Sequence, residues 1–246
     1  MRFGMNHLPA IIGLKGCDFK HFERKLRLAH MMSINYVRNM SVMIIAALKS
    51  EVKTLLDRFG IAKQTTLGRH AVLYKCMNDA HILRTGIGLN QATRVLEKFS
   101  TPDALPTKIL HIGVSGALVD DFDIGQMVRG VTFTNEAGDR VSPELWRPDP
   151  ITSQFPEGRF LSVIEAVKTT KARHQLNERT QAQLVDMESH AVATFCRKNE
   201  VPLCAIRIVS DRADDRAMLT FIHEFRTQAK RLQAFVLENW EGFVSA

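Results

Sequence analysis

The chain has 246 residues, of which 45% are hydrophobic and 24% are charged, and its formal net charge is +7. A chain of this length can bury the core of one sizeable globular domain. No apolar run reaches the roughly 18 to 20 residues that span a bilayer, which argues against an integral membrane protein.

The positive charge is concentrated at the N-terminus. The first 40 residues contain seven Lys or Arg against two Asp or Glu, which leaves 26 against 24 in residues 41–246. The body has no basic stripe interleaved with aromatics, so we expect no nucleic-acid partner. We interpret residues 1–40 as a basic extension that is a flexible tail, or that precedes a true start at Met40 or Met43. Alternatively, Phe22–Met32 forms a short basic amphipathic helix that contacts a membrane or a partner.

The cysteines and the N-terminus indicate the compartment. The four cysteines are isolated and form no C-x-x-C pair, which is typical of reduced thiols. The N-terminal extension also lacks the continuous apolar segment of a signal peptide. We therefore expect a cytoplasmic protein.

From residue 41 onward, apolar strand-like runs alternate with helical patterns. The predicted strands are Val42–Leu48, 70–76, 80–86, Lys108–Leu118, 126–133, 159–167, 182–185 and Val201–Asp211. The predicted helices are Ser50–Gly60, Asn90–Phe99, the segment after Glu188, and Phe221–Asn239, and a polar loop is expected at Asn135–Gly158. This alternation predicts a single α/β domain, residues 41–246, with a mixed central β-sheet flanked by helices.

Four strand ends carry unusual chemistry. Glu51 follows the first strand, Gly113–Gly116 lies late in the strand that begins at Lys108, Asp186–Glu188 follows the short run 182–185, and Ser210–Asp211 ends the last strand. Ligands of open α/β sheets bind beyond the carboxyl ends of the strands. We therefore expect these residues to converge on one crevice.

Two of these carboxylates have competing interpretations. Asp211 follows a buried strand, and burial raises the pKa of a lone carboxyl group toward the protonated form that a general acid needs. The alternative is an ion pair with Arg207 or Arg212. For Glu51, the alternative is a first-turn carboxylate that faces the helix dipole.

Other motifs are incomplete. Thr85–Ala92 begins like a dinucleotide fingerprint but has Gln91 in place of the third glycine, so it predicts a tight strand-to-helix turn. Gly113–Gly116 is not a G-x-S-x-G elbow, and its glycines indicate close backbone approach to a ligand better than a Ser115 nucleophile. His223 begins an H-E pair that lacks the second zinc histidine, and no metal or cofactor is expected.

Together the strand-end blocks resemble the nucleoside phosphorylase/nucleosidase superfamily. Within it they look most like the 5′-methylthioadenosine/S-adenosylhomocysteine nucleosidases and the hopanoid-associated nucleosidases. The matching blocks are IIAALKSEV (44–52), LRTGIGLNQA (83–92), LHIGVSGALVDDFDIGQMV (110–128), VDMESHAVATFCRKNEVPLCAIRIVSD (185–211) and the closing helix. The block 185–211 is the most specific, because it combines V-[DE]-M-E with R-x-x-S-D.

The resemblance implies hydrolysis of the N-glycosidic bond of a purine nucleoside, with water as co-substrate. Asp211 matches the general acid that protonates the base near N7, and Ser210 lies beside it. Glu51 matches the carboxylate that activates water. Glu188 matches the residue that holds the ribose 2′- and 3′-hydroxyls, and Met187 packs against the sugar.

The resemblance also implies supporting roles. Arg207 matches an arginine expected to orient Glu188, and the segment Val114, Ser115 and Gly116 is expected to contact the substrate. Independently of the resemblance, strand alternation is expected to point Asp186 and Glu188 to opposite faces if the strand persists through Glu188, which makes Asp186 structural. Proteins of this superfamily usually form dimers, so a homodimer is expected.

Departures from the family pattern affect the substrate. Val114 and Ser115 stand where the hydrolases usually have serine or threonine and then alanine, and Leu48 replaces a methionine. Residues 162–183 lack the aromatic-containing segment that stacks on adenine. An adenine nucleoside with another modification at its 5′ position is therefore expected.

Alternative functions remain open. A phosphate-dependent phosphorylase is disfavoured because the carboxylate of Glu51 would repel phosphate, although Lys49 and Arg84 could attract it. A nucleosidase acting on a lipid-linked adenosine in hopanoid synthesis is a second alternative. A catalytically inactive binding protein is a third, but all three carboxylates of the resemblance are present.

Overall fold

The computed structural model describes residues 42–99 and 105–246. Its strands are β1 Val42–Ala46, β2 Ile61–Thr66, β3 Val72–Cys76, β4 His81–Arg84, β5 Lys108–Ala117, β6 Met127–Asn135, β7 Arg140–Val141, β8 Glu157–Ser162, β9 Leu184–Asp186 and β10 Leu203–Asp211. Its α-helices are α1 Lys53–Phe59, α2 Leu89–Leu96, α3 Thr170–Thr180, α4 Ser189–Lys198, α5 Ala217–Glu238 and α6 Trp240–Ser245. Two 3-10 turns, Lys49–Glu51 and Glu97–Phe99, complete the elements. The interpretations of residues 1–40 lie outside the described residues.

The described strands form one mixed sheet in the order β10-β6-β8-β9-β5-β1-β4-β3-β2, with β7 paired to β6. A further pairing between β10 and β5 closes the first five strands of this order into a ring. β1, β5 and β10 are parallel neighbours, so their carboxyl ends lie at the same edge. The predicted α/β fold class is confirmed.

Helices cover both faces of the sheet, which explains the continuous apolar runs of its central strands. On one face, Ile109 of β5 lies in the same core cluster as Val192 of α4. On the other, Leu110 of β5 shares a cluster with Leu232 and Val236 of α5. All five residues of β1 are buried, as a central strand requires.

Several predicted boundaries shift. The helix predicted at Ser50–Gly60 divides into the turn that contains Glu51 and the shorter α1, and α5 starts at Ala217 rather than Phe221. β2 was not predicted, because this edge strand is largely exposed and lacks alternating apolar residues. The predicted polar loop contains the short strand β7. Within the described ranges, no helix is both long and apolar enough to cross a membrane.

Candidate active site

The carboxyl ends of β1, β5, β9 and β10 surround a cavity of about 290 Å³, a size suited to a small molecule. Eight of the nine site residues predicted from the sequence line it: Glu51, Val114, Ser115, Gly116, Met187, Glu188, Ser210 and Asp211. The ninth, Arg207, lies outside the lining and is buried beneath it. The pairing of strands that are distant in sequence therefore brings the predicted site residues together.

The Glu51 carboxylate is fixed by backbone donors from two strand ends. Its Oε2 accepts hydrogen bonds from the N–H groups of Ala47, at 3.1 Å, and Leu48, at 2.8 Å. Its Oε1 accepts from the N–H of Val114 on β5, at 3.2 Å. Burial raises the pKa of Glu51 above its ordinary value, while the nearby Arg207 and these three donors oppose the rise. Glu51 thus caps its own turn and also faces the cavity.

Asp211 ends β10 with its carboxyl group largely buried. Its Oδ1 accepts a hydrogen bond from the N–H of Ala213, at 2.9 Å, and its Oδ2 accepts from the Ser210 hydroxyl, at 2.8 Å. Burial raises the pKa of Asp211, and these two bonds only partly offset it. The structure therefore gives this group the protonation tendency that a general acid requires.

Neither arginine proposed as an ion-pair partner contacts Asp211. Arg207 pairs with Asp186, at 2.8 Å, and Arg212 pairs with Asp120 and Asp123 on the loop after β5. The ion-pair interpretation of Asp211 is therefore wrong among the described residues.

Two glycines of β5 let these carboxylates approach the strand. A Cβ atom at Gly113 would lie 2.9 Å from Oε1 of Glu51, and one at Gly116 would lie 2.9 Å from Oδ1 of Asp211. Real Cβ atoms do not approach other atoms so closely. The sequence predicted close approach by a ligand, whereas here the protein's own carboxylates occupy the space that a side chain would take.

The two carboxylates of the D-M-E motif diverge because β9 ends at Asp186. Residues two apart in a continuing strand would point the same way. The backbone of Glu188 is not extended, with φ −134° and ψ −26°, and its Oε1 accepts a hydrogen bond from the N–H of Gly88, at 2.7 Å. Burial and the negative charge of Asp186 raise the pKa of Glu188 to about 8.

Asp186 forms a buried ion pair with Arg207, and their side chains are 2% and 3% exposed. Burial disfavours the ionised form of Asp186, but Arg207 and hydrogen bonds from Ser189 and Ser162 hold its pKa below the usual range. The expectation that Arg207 directly orients Glu188 is therefore corrected, because its ion pair and its carboxylate hydrogen bond both go to Asp186.

A histidine completes this network. His111 on β5 bonds to Arg207 through Nε2 and to the carbonyl oxygen of Ile45 through Nδ1. Burial and the positive charge of Arg207 lower the pKa of His111 to about 3, so the ring is neutral. Sequence reasoning missed this residue, although one histidine inside the apolar strand KILHI was a visible signal.

One side of the cavity is apolar. Its lining includes Leu48 and Ile87 together with residues from the start of α5. Among these, the rings of Phe221 and Phe225 stack with their centroids 4.8 Å apart. The aromatic side chains of the lining thus come from α5, which the sequence did not connect with the site.

A family model described as "Phosphorylase superfamily" matches residues 148–239. This range contains the D-M-E motif, Asp211 and all of α5. Together with the α/β fold, it confirms the predicted resemblance to this superfamily.

Named relatives are similar to this chain over most of its length, and a solved structure shares its fold. An aminodeoxyfutalosine nucleosidase of Helicobacter pylori is 23% identical over 79% of this chain and 97% of its own length. A 5′-methylthioadenosine/S-adenosylhomocysteine nucleosidase of Staphylococcus haemolyticus is 22% identical over 80% of this chain and 96% of its own length. The structure of a Helicobacter pylori 5′-methylthioadenosine/S-adenosylhomocysteine nucleosidase with butyl-thio-DADMe-Immucillin-A has a TM-score of 0.71. At 22% identity, it covers 81% of this chain and 98% of the other.

Proposed function

We propose that this protein is a nucleosidase that hydrolyses the N-glycosidic bond of an adenine nucleoside modified at its 5′ position. The observation that carries the proposal is the convergence of three buried carboxyl groups, Glu51, Glu188 and Asp211, on one cavity. The two relatives named above are an aminodeoxyfutalosine nucleosidase and a 5′-methylthioadenosine/S-adenosylhomocysteine nucleosidase, and their names support the reaction class.

Asp211 supplies the acid. An adenine anion is a poor leaving group, so the adenine ring must be protonated as its bond to ribose breaks. In the family that this chain resembles, the proton goes to N7. Burial raises the pKa of Asp211, which favours the protonated form that delivers this proton. Ser210 fixes one oxygen of this carboxyl group and leaves the group facing the cavity.

Glu51 and Glu188 act on the sugar side. Glu51 accepts the proton of the attacking water, which becomes the hydroxyl at C1′ of ribose. Positive charge develops on the ribosyl group as the bond breaks, and the ionised form of Glu51 stabilises it. Glu188 holds the ribose hydroxyls, and the turn after β9 fixes the position of its backbone. Inverting glycoside hydrolases likewise use one carboxyl group as the base and a second one as the acid.

Product analysis in the presence and absence of phosphate tests this function. We expect 5′-methylthioadenosine or a longer 5′-alkylthioadenosine to give free adenine and a free sugar in phosphate-free buffer, at a rate that added phosphate leaves unchanged. Neither Lys49 nor Arg84 lines the cavity, so no cation from these positions is available there for phosphate. Formation of a sugar 1-phosphate, dependent on phosphate, would replace hydrolysis by phosphorolysis.

A second candidate substrate is an adenosine with a lipid-like 5′ group. The observation that favours it is the exposed apolar surface at the start of α5, where Met218, Leu219 and Ile222 are 47%, 73% and 68% exposed. Ile87, on the loop after β4, is 54% exposed beside the same cavity. Scattered exposed apolar side chains are ordinary, but a group of them at a cavity entrance favours an apolar ligand.

The helix geometry extends this argument. The stripe of α5 that packs into the core at Leu232 and Val236 continues, at helical spacing, to Phe225, Ile222 and Met218. Phe225 and Met218 line the cavity, and Ile222 lies one turn from Met218 on the helix surface. A long apolar 5′ group leaving the cavity along this stripe would cover it.

A series of 5′-alkylthioadenosines tests the second candidate. We expect kcat/KM to rise from the methylthio to the octylthio compound, and Ile222→Ser to lower it about tenfold for the octylthio compound only, because that chain alone reaches the stripe. Met77→Ser is the matched control, since Met77 is 74% exposed but lies away from the cavity. Equal kcat/KM for all chain lengths in the unmodified enzyme would exclude this candidate.

Three further expectations stay predictions. They are the membrane contact of residues 1–40, the homodimer, and the cytoplasmic location.

A further inference from the structure

The Asp186 carboxylate joins three parts of the site. Its Oδ1 accepts hydrogen bonds from the hydroxyl of Ser162 on β8, at 2.7 Å, and from the N–H groups of Glu188 and Ser189, at 3.3 and 3.2 Å. Its Oδ2 accepts from the Ser189 hydroxyl and from Nε of Arg207, at 3.0 Å. Asp186 therefore fixes both the backbone turn that presents Glu188 and the guanidinium group of Arg207.

Arg207 reaches from Asp186 toward Glu51. Its Nη2 bonds to His111 and to the Ser189 hydroxyl. A Cβ atom built on Gly113 would meet both Nη1 of Arg207 and Oε1 of Glu51, so these two groups share the space beside that glycine. The guanidinium therefore lies between the carboxylates of Asp186 and Glu51, both of which line the cavity.

The charges of this cluster do not balance. Three buried carboxyl groups, Glu51, Asp186 and Glu188, surround one arginine, and His111 is neutral. The titratable or charged groups that face Asp186 are Glu188 on its own segment, His190 on α4, His111 on β5 and Arg207 on β10. Because burying unpaired charge is costly, the group that holds Arg207 stays ionised and the others tend to retain protons.

We propose that Asp186 is a positioning residue of the reaction, which controls the ionisation of Glu51 and Glu188 by holding Arg207 and the Glu188 backbone. This inference rests on the proposed function for its catalytic consequence. Asp186 does not react with the substrate. Instead, its ion pair with Arg207 weakens the stabilisation that this arginine gives to the ionised forms of Glu51 and Glu188. Asp186 also places a negative charge beside Glu188.

Asp186→Asn tests the proposal, because it keeps the shape of the side chain and removes its charge. Arg207 is then free to stabilise the ionised forms of Glu51 and Glu188, and the like charge beside Glu188 is gone. We expect the acidic limb of the pH profile of kcat/KM to move to lower pH by about one unit. The alkaline limb, which reports Asp211, is expected to stay in place, because Asp211 has no contact with Asp186.

A double variant gives a shift of opposite sign. Asp186→Asn with Arg207→Gln leaves no unpaired buried arginine, which protects the fold if the single variant is unstable. Glu51 then loses the cation that favours its ionised form, so the acidic limb is expected to move to higher pH. Ser162→Ala is the matched control: it removes one hydrogen bond to Asp186 without changing any charge, and it should leave the limb where it is.

A substrate-free measurement separates this inference from the proposed function. In the unmodified protein, the raised pKa of Glu188 makes the unfolding free energy fall as pH rises from about 4.5 toward 8. In Asp186→Asn this fall should be smaller, as measured by denaturant unfolding at several pH values. An unchanged pH dependence, or a loss of activity equal at every pH, would overturn the proposal. The expected stability change without cleavage of any nucleoside would overturn only the proposed function.

Discussion

Asp211→Asn is expected to lower kcat for nucleoside hydrolysis by about 10² to 10⁴-fold, the usual contribution of a general acid. Asparagine keeps an oxygen for the N–H of Ala213 but has no acidic proton to deliver to the base. Steady-state kinetics on a 5′-alkylthioadenosine measure the loss. Because the side chain keeps its shape, KM is expected to change much less than kcat.

Ser210→Ala is the control for this experiment. It removes the hydrogen bond that lowers the pKa of Asp211, so that pKa should rise and the alkaline limb of the pH profile should move to higher pH. Activity at neutral pH should fall far less than in Asp211→Asn. If Asp211→Asn kept more than a tenth of the kcat, Asp211 would not be the acid.

Glu188→Gln is expected to lower the activity and to raise the unfolding free energy at alkaline pH. In the unfolded chain this carboxyl group ionises near pH 4.5, and in the folded protein near 8, so folding takes up a proton between these values. The unfolding free energy of the unmodified protein therefore falls by up to about 1.4 kcal/mol per pH unit as pH rises through this window. Glutamine keeps the acceptor for the N–H of Gly88 and never ionises.

The variant should therefore match the unmodified protein near pH 5 and exceed its stability at pH 8, by at most about 4 kcal/mol. Urea unfolding at the two pH values measures the difference. Its kcat/KM should fall, because glutamine, unlike the Glu188 carboxyl group, cannot ionise to form the stronger charge-assisted hydrogen bonds with the ribose hydroxyls. Glu165→Gln, which changes an exposed carboxyl group, is the matched control and should affect neither quantity. Equal stability of Glu188→Gln and the unmodified protein at pH 8 would contradict the expected burial cost.

The sequence predicted the parts of the fold that depend on local pattern. β1, β5 and β10 are short apolar runs of strand length, and such runs identify buried strands without knowledge of their neighbours. Strand β2 was missed for the same reason, because an exposed edge strand needs no apolar alternation. Boundaries such as the start of α5 at Ala217 depend on packing and turn geometry, which local pattern does not specify.

By itself, the sequence determined which carboxylates stand at strand ends, since Glu51, Glu188 and Asp211 are fixed by position along the chain. Only the tertiary structure decided what each one contacts. Glu51 meets the N–H of Val114 because β1 and β5 are parallel neighbours, and Arg207 lies near Asp186 because β10 and β9 both pair with β5. Strand register and side-chain direction join residues that are far apart in the chain, and they thereby determine which buried charges are paired and which retain their protons.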